Sequence, residues 1–398
     1  MKILYVVSRP LEINTSSSIR NRATIEGLLK IGHEVDLITT EFDKNHSNYD
    51  QSLSYSNLNV SYLKLGGIQD IVKLSRKFKV IQPLKKLAYN LIKYFEIYDN
   101  LKGVVDYVTK DKIDITDNKY DLIISSSDPK SSHLFVRKMF ERRLVSKTPW
   151  IQIWGDPFLS DITRSNKLLN SKIKKEEKKL FEYANKIIYV SKLTLNEQKM
   201  IYPNYAIKMD YVPIPYVKEE IYPNRDSFKE NLTFLYSGDY SSKIRDIQPL
   251  YDAINNSRHS LIICGLSDIN IESTDRIKVY PRVSFEKTKE FEKKCDVLVH
   301  LSNIEGTQIP GKIYQYSGTN KLILFILDGQ KETLLKTFNN YNRYVFADNN
   351  KNEIFEKITR IENKEFENTK FIVEDFCSEN IVSKIININA KVIVKTGV

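Results

Sequence analysis

Residues 297–327 read VLVHLSNIEGTQIPGKIYQYSGTNKLILFIL. An apolar run at Val297–Leu301 leads into a loop carrying Gly306, Thr307, Pro310 and Gly311. A helical stretch opens at Lys312, Gly318-Thr319-Asn320 closes it, and a second apolar run follows at Leu322–Leu327. Short apolar runs alternating with helical patterns argue for a parallel sheet with crossover helices.

The same alternation extends upstream. Leu232–Tyr236, Ser260–Cys264 and Ile277–Tyr280 read as strands of the same unit. Before them, Pro213, Pro215 and Pro223 cluster in a segment without periodicity, the mark of a linker. An earlier series contains Lys2–Val7, Val35–Thr39, Asp121–Ser125, Trp150–Trp154 and Lys186–Val190. Between its first two strands, Ser16–Ser18 can cap a helix whose apolar positions Ile19, Ala23, Leu28 and Leu29 run to Gly32. With 398 residues, the chain exceeds what one hydrophobic core usually supports. The expectation is α/β: two facing, doubly wound, Rossmann-like domains with a cleft between them. The first spans 1–215 and the second 216–375, with a C-terminal helix at 376–398 packing back on the first. Ligands of open α/β sheets sit beyond the carboxyl ends of the strands.

Composition narrows the classes. Hydrophobic residues are 41% and charged residues 28%, ordinary for a soluble protein. No run of about eighteen apolar residues offers a membrane-spanning helix. MKILYVVSRP is too short for a secretory apolar region and reads as a first strand. The three cysteines, Cys264, Cys295 and Cys377, have neither disulfide-framework nor metal-ligand spacing, so a cytoplasmic protein with no bound metal is expected. A net charge of +11 favours polyanions without choosing among them. The absence of a helix-turn-helix, zinc or RNA-binding signature argues against nucleic acid. A basic helical insertion at about 70–112 interleaves lysines with Leu74, Phe78, Leu84 and Leu91. Either it docks on an anionic membrane surface, which would make the protein peripheral at the inner face, or its apolar stripe packs on the domain.

Two loops of the second domain carry the residue types that bind a diphosphate. Ser237–Arg245 reads SGDYSSKIR at a strand-to-helix turn, where Gly238 lets backbone N–H groups approach a phosphate. Lys243 and Arg245 would add a cationic clamp, and Lys312 lies at the start of the helix after the proline loop. The bland alternative is an ordinary turn with incidental cations.

Taken together, YSGDYSSKIRDIQPL, YPRVSFEKTKEFEKKCDVLVHLSN and GTQIPGKIYQYSGTNKLILF resemble, in order and spacing, the donor half of retaining GT-B glycosyltransferases of the glycosyltransferase 4 type. DLIISSSDPKSSH, IQIWGDPF, ANKIIYVSKLTLNEQ and YVPIP extend the resemblance through the first domain. It implies a nucleotide-sugar donor, a glycan or lipid-linked acceptor and no metal. Arg245 and Lys312 are then the donor-diphosphate cations, with Thr307 and Gly311 adding hydrogen bonds. The backbone at Arg282 and Val283 receives the nucleobase, and Glu305 faces the donor sugar. Gln315 stands where relatives place a ribose-binding glutamate.

On the acceptor side the match is looser. Ser8–Arg22 has no glycine but a run of three serines, and it offers Arg20 and Asn21. Asp128 is the nearest candidate where many relatives carry a functional histidine or acid, while His133 reads as structural. Asp156, after the strand ending at Trp154, either acts on the acceptor or caps the turn before Pro157. Trp154 either stacks on a sugar or fills the wall. A GT-B partner without turnover, and a sugar-nucleotide epimerase, are the competing readings.

Overall fold

A computed structural model describes residues 1–55, 57–65, 96–109, 113, 115–116, 118–164, 166–223 and 231–396. The basic insertion expected at about 70–112 falls largely outside the described residues. The chain divides into two compact units. One comprises Met1–Tyr49, Ser54–Val212 and the chain from Val382 onward; the other comprises Asp50–Leu53 and Pro213–Ile381.

The first unit holds a seven-stranded sheet ordered β3-β2-β1-β4-β5-β6-β7. Its strands are β1 (Lys2–Val6), β2 (Glu34–Thr40), β3 (Asn59–Leu63), β4 (Leu122–Ser126), β5 (Trp150–Trp154), β6 (Lys186–Tyr189) and β7 (Met209–Tyr211), all pairing in parallel. Helices α1 (Ser16–Lys30), α2 (Ser131–Glu141), α3 (Asn170–Tyr183) and α4 (Lys192–Ile201) lie between them. Helix α1 starts where the serines suggested, but Thr15 is the cap, its hydroxyl accepting from the Ser18 N–H at 3.2 Å. Gly32 follows the helix with φ +85°, the left-handed conformation that favours glycine after a helix end.

The second unit holds a six-stranded sheet ordered β10-β9-β8-β11-β12-β13. Its strands are β8 (Thr233–Ser237), β9 (Ser260–Cys264), β10 (Ile277–Tyr280), β11 (Val297–Leu301), β12 (Leu322–Leu327) and β13 (Val345–Asp348), again parallel. Helices α5 (Gln248–Asn255), α6 (Phe285–Lys294), α7 (Lys312–Ser317), α8 (Lys331–Phe338) and α9 (Lys351–Glu362) connect them, and α10 (Ser378–Thr396) ends the described chain. Strands β11 and β12 are buried at every position, which is why they read as continuous apolar runs.

In each sheet the strand order reverses beside the unit's first strand, between β1 and β4 and between β8 and β11. That reversal is the topological switch point, where the loops diverge and leave a crevice for ligand. Each sheet therefore offers a ligand crevice at its carboxyl edge.

The second edge is tightly built. A Cβ placed on Gly265, just after β9, would lie 2.0 Å from the Gly238 carbonyl oxygen after β8. Both partners are backbone and cannot swing away. We therefore expect Gly265→Ala to destabilise the second unit by about 1–3 kcal/mol, read as a lower thermal unfolding midpoint. An unchanged midpoint would show that the two loops separate freely.

Candidate functional site

After β8 the chain turns at Gly238-Asp239, and Asp239 organises the turn. Its carbonyl accepts hydrogen bonds from the Tyr236 hydroxyl at 3.0 Å and from Arg245 Nη1 at 2.7 Å. Its carboxylate accepts from the Leu266 N–H at 2.9 Å and pairs with the Arg282 guanidinium. Arg245 also donates from Nε to Asn303 Oδ1 at 2.7 Å, while Asn303 Nδ2 donates to the Gln308 carbonyl at 2.9 Å. The Ile304 N–H donates to the Ile244 carbonyl at 2.9 Å. The loops after β8 and β11 are thus tied to each other across the switch point, with Arg245 held in the tie.

Lys312 opens α7. Its side chain is 32% exposed, and its ammonium lies 3.6 Å from Glu292 Oε1 and 5.5 Å over the Tyr316 ring. Burial pushes the lysine below its ordinary pKa, and the Glu292 charge opposes that shift. Glu292 lies in α6 and is itself buried. Burial pushes its carboxyl up, but Lys289, Lys312 and the Tyr222 hydroxyl outweigh this and hold it below the usual carboxylate value. The Cys264 thiol at the end of β9 is pushed up to about 12 by burial, so it stays protonated beside Lys312.

The other expected donor contacts are dispersed along this edge. Lys243 and Glu305 are exposed on the loops, and Val283 is partly buried. Gly306 adopts φ +85°, and the Thr307 N–H donates to Gln308 Oε1 at 3.2 Å. Gly311 caps α7 with φ −64°. Gln315 differs from expectation. Its Oε1 accepts from the Val217 N–H at 3.1 Å and its Nε2 donates to the Pro215 carbonyl at 2.9 Å. Both ends of the amide fix the 215–217 backbone, so the side chain is a brace and not a free ribose ligand. A glutamate could not make both bonds, because the carbonyl needs a donor.

On the first unit, two acids meet. Asp128 follows β4 and Asp156 follows β5, and their carboxyls are hydrogen-bonded to each other. Burial and the neighbouring Asp128 charge push Asp156 well above the carboxylate range. Burial also raises Asp128, but Lys130, the bond from Asp156 and Arg20 outweigh it and leave it low. The pair therefore holds one proton, on Asp156, as two close carboxyls in a poorly hydrated site must. Lys130 is buried and pairs with both Asp128 and Asp161, the latter at 3.0 Å.

Arg20 is buried beside these acids, its guanidinium donating to the Ser127 carbonyl. A Cβ at residue 155 would lie 2.3 Å from Arg20 Nη1, so the glycine there makes room for it. Asn21 is fully buried and accepts from the Tyr5 hydroxyl at 2.9 Å, binding α1 to β1. Trp154 is 0% exposed, with its Nε1 donating to Gln152 Oε1 at 2.9 Å and its ring 4.3 Å from His133. It is core and cannot stack on a sugar. His133 is structural as its helical position suggested: its Nδ1 lies 2.7 Å from Ser125 Oγ, and burial lowers its pKa to about 3.

Asp239, Glu292, Asn303 and Lys130 escaped the sequence reading, as did Glu177. The buried Glu177 carboxylate accepts from the Phe158 N–H at 2.9 Å, the Leu159 N–H at 3.2 Å and the Tyr202 hydroxyl at 2.6 Å. It pins the loop that carries Asp156. Only a charged residue on the buried stripe of its helix could have signalled it. Among the described residues no group of three His, Cys, Asp or Glu side chains is arranged for a metal ion. None of the described helices is long and apolar enough to cross a membrane.

No protein-family model matches the sequence, and no curated protein matches it at a significant level. Solved structures do share its fold. The Anabaena protein HepE, in complex with UDP-glucose, superposes with TM-score 0.57 at 13% identity, covering 100% of this chain and 99% of that one. The lipopolysaccharide outer core galactosyltransferase WaaB gives 0.55 at 12%, covering 98% and 99%. The Neisseria meningitidis UDP-GlcNAc 2-epimerase, bound to UDP-GlcNAc, gives 0.53 at 12%, covering 98% and 100%. The fold is the one these proteins share, GT-B, with two Rossmann-like domains.

Two outcomes test the geometry. Replacing Gln315 by Glu removes the donor to Pro215 and is expected to destabilise the second unit by about 1–3 kcal/mol in denaturant unfolding. The raised Asp156 favours folding while protonated, and that contribution is lost as pH rises from the ordinary aspartate value through its folded value. Asp156→Asn should therefore gain stability over wild type as pH rises above the ordinary aspartate range. A pH-independent difference in unfolding midpoint would contradict the shared proton.

Proposed function

We propose that the protein is a glycosyltransferase that moves a sugar from a nucleotide-sugar to a glycan or lipid-linked acceptor, with retention, as a glycosyltransferase 4-like enzyme of surface polysaccharide or glycoconjugate synthesis. The observation that carries this reading is the pair of cations on the carboxyl edge of the second sheet. Arg245 is held by Asp239 and Asn303 at the switch point, and Lys312 is held against the buried Glu292.

Breaking the bond between the sugar and the diphosphate builds negative charge on the departing oxygen. Cations already fixed in place stabilise that charge without reorganising during the reaction. Arg245 and Lys312 perform this task, and side chains rather than a metal neutralise the leaving group. The nucleobase lies against the backbone at Arg282 and Val283, with Gly238, Lys243, Thr307 and Gly311 around the phosphates and Glu305 toward the sugar. The first unit serves the acceptor. Asp128, ionised beside Lys130, orients the acceptor hydroxyl, with Asp156 and Arg20 fixing its geometry. The setting is the cytoplasm, with the basic insertion meeting an anionic membrane surface.

A second reading follows from the shared fold of the UDP-GlcNAc 2-epimerase. The two differ in products: a transferase releases nucleoside diphosphate, whereas an epimerase returns an isomerised nucleotide-sugar. A thermal-shift panel of nucleotide-sugars identifies the donor, because a ligand bound only by the folded state raises the melting temperature. With that donor, Lys312→Ala should lower kcat/KM by about a hundredfold or more while the fold is retained. Near-wild-type turnover in this variant would remove the core of the proposal.

A further inference from the structure

Glu292 lies within the stretch YPRVSFEKTKEFEKKCDVLVHLSN but outside the two loops that carry the anion-site cations, yet its carboxylate is the counter-ion of Lys312. The side chain is 1% exposed and its two oxygens are divided. Oε1 faces the Lys312 ammonium at 3.6 Å, whereas Oε2 accepts from Lys289 Nζ at 2.8 Å and from the Tyr222 hydroxyl at 3.0 Å. A buried carboxylate stripped of partners strongly destabilises a fold. The division avoids this: Lys312 can turn to an anion while Lys289 and Tyr222 keep the other oxygen paired.

We propose that Glu292 is a positioning residue of the anion site: it holds the Lys312 ammonium ready for a diphosphate, and Lys289 keeps the carboxylate paired once the diphosphate arrives. The inference rests on the reading of Lys312 as a diphosphate ligand.

The groups facing Lys312 fix the sign of each change. Glu292 favours the charged ammonium, and Lys289, from the same helix, opposes it. Cys264 at the end of β9 is neutral, and Tyr316 on the lysine's own helix presents an uncharged ring. Removing the Glu292 charge leaves burial and Lys289 unopposed, so Lys312 loses its proton at lower pH. Removing Lys289 acts in the opposite direction. Lys289 is partly exposed, and without it Glu292 retains Lys312 and Tyr222, so Lys289→Met tests the proposal even if Glu292→Gln folds poorly.

The experiment has two readouts. Lys312 is titrated by ¹³C NMR of the reductively methylated protein, assigned with Lys312→Arg, in wild type, Glu292→Gln and Lys289→Met. UDP affinity is measured by calorimetry on unmethylated protein above about pH 7.5, where a terminal phosphate no longer changes charge. The expected result is a Lys312 midpoint about one unit lower in Glu292→Gln and measurably higher in Lys289→Met. The alkaline loss of UDP affinity should shift in the same two directions. A purely structural glutamate would not give shifts of opposite sign. A midpoint unmoved by either substitution, or moved the same way by both, overturns the proposal. Midpoints that move as stated in a protein whose UDP affinity ignores Lys312→Ala would overturn the diphosphate reading itself and leave an ion pair of structural importance only.

Discussion

Asp239 accepts hydrogen bonds from Tyr236, Arg245, Leu266 and Arg282, and the carboxyl edge of the second sheet depends on it. Strands β8 and β9 are adjacent, so their loops leave the sheet side by side. Glycine at 265 lets its loop touch the backbone at 238–239, and the Asp239 carbonyl reaches Arg245. A free arginine samples many rotamers and loses that freedom on binding an anion. Here the turn has already restricted it, so less ordering remains for the ligand.

The two units solve the same electrostatic problem with opposite signs. At the second edge a buried carboxylate supports cations, with Glu292 between Lys289 and Lys312. At the first edge a buried lysine supports acids, with Lys130 between Asp128 and Asp161. In both, the central charge is poorly hydrated and therefore must be paired. In each, the partners are side chains: Lys289, Lys312 and Tyr222 around Glu292, and Asp128 and Asp161 around Lys130. The arrangement leaves the outer members of each cluster, Lys312 and Asp128, partly exposed to a ligand.

Much of the fold was legible in the sequence, because short apolar or β-branched runs mark the strands, most plainly where both faces are buried, as in Trp150–Trp154, Val297–Leu301 and Leu322–Leu327. Trp150–Trp154, Ser260–Cys264, Ile277–Tyr280, Val297–Leu301 and Leu322–Leu327 have the bounds expected. Strands β3, β7 and β13 were not legible. Asn59–Leu63 is a largely exposed edge strand without an apolar run, Met209–Tyr211 has only three residues, and Val345–Asp348 is a short run that ends on an acid. The site was legible only as loops. Sequence located the turns bearing Arg245 and Lys312, but not the roles of Asp239, Asn303 and Glu292, which arise from side-chain contacts that no spacing shows. It left Trp154 open between a sugar contact and the wall, and it placed Gln315 only by its match to the ribose-binding position of relatives. Position at a strand end or on a helix says little about which way a side chain points, and both point into protein.

The central claim is that the cations fixed on the second sheet's edge bind the diphosphate of a nucleotide-sugar. Calorimetric titration of the donor identified by thermal shift into wild type and Arg245→Ala measures this most directly. The account predicts saturable binding to wild type that weakens by about tenfold or more in the variant, because a charge-assisted bond to phosphate is lost. Equal affinity in the two proteins, each shown to be folded, would contradict it.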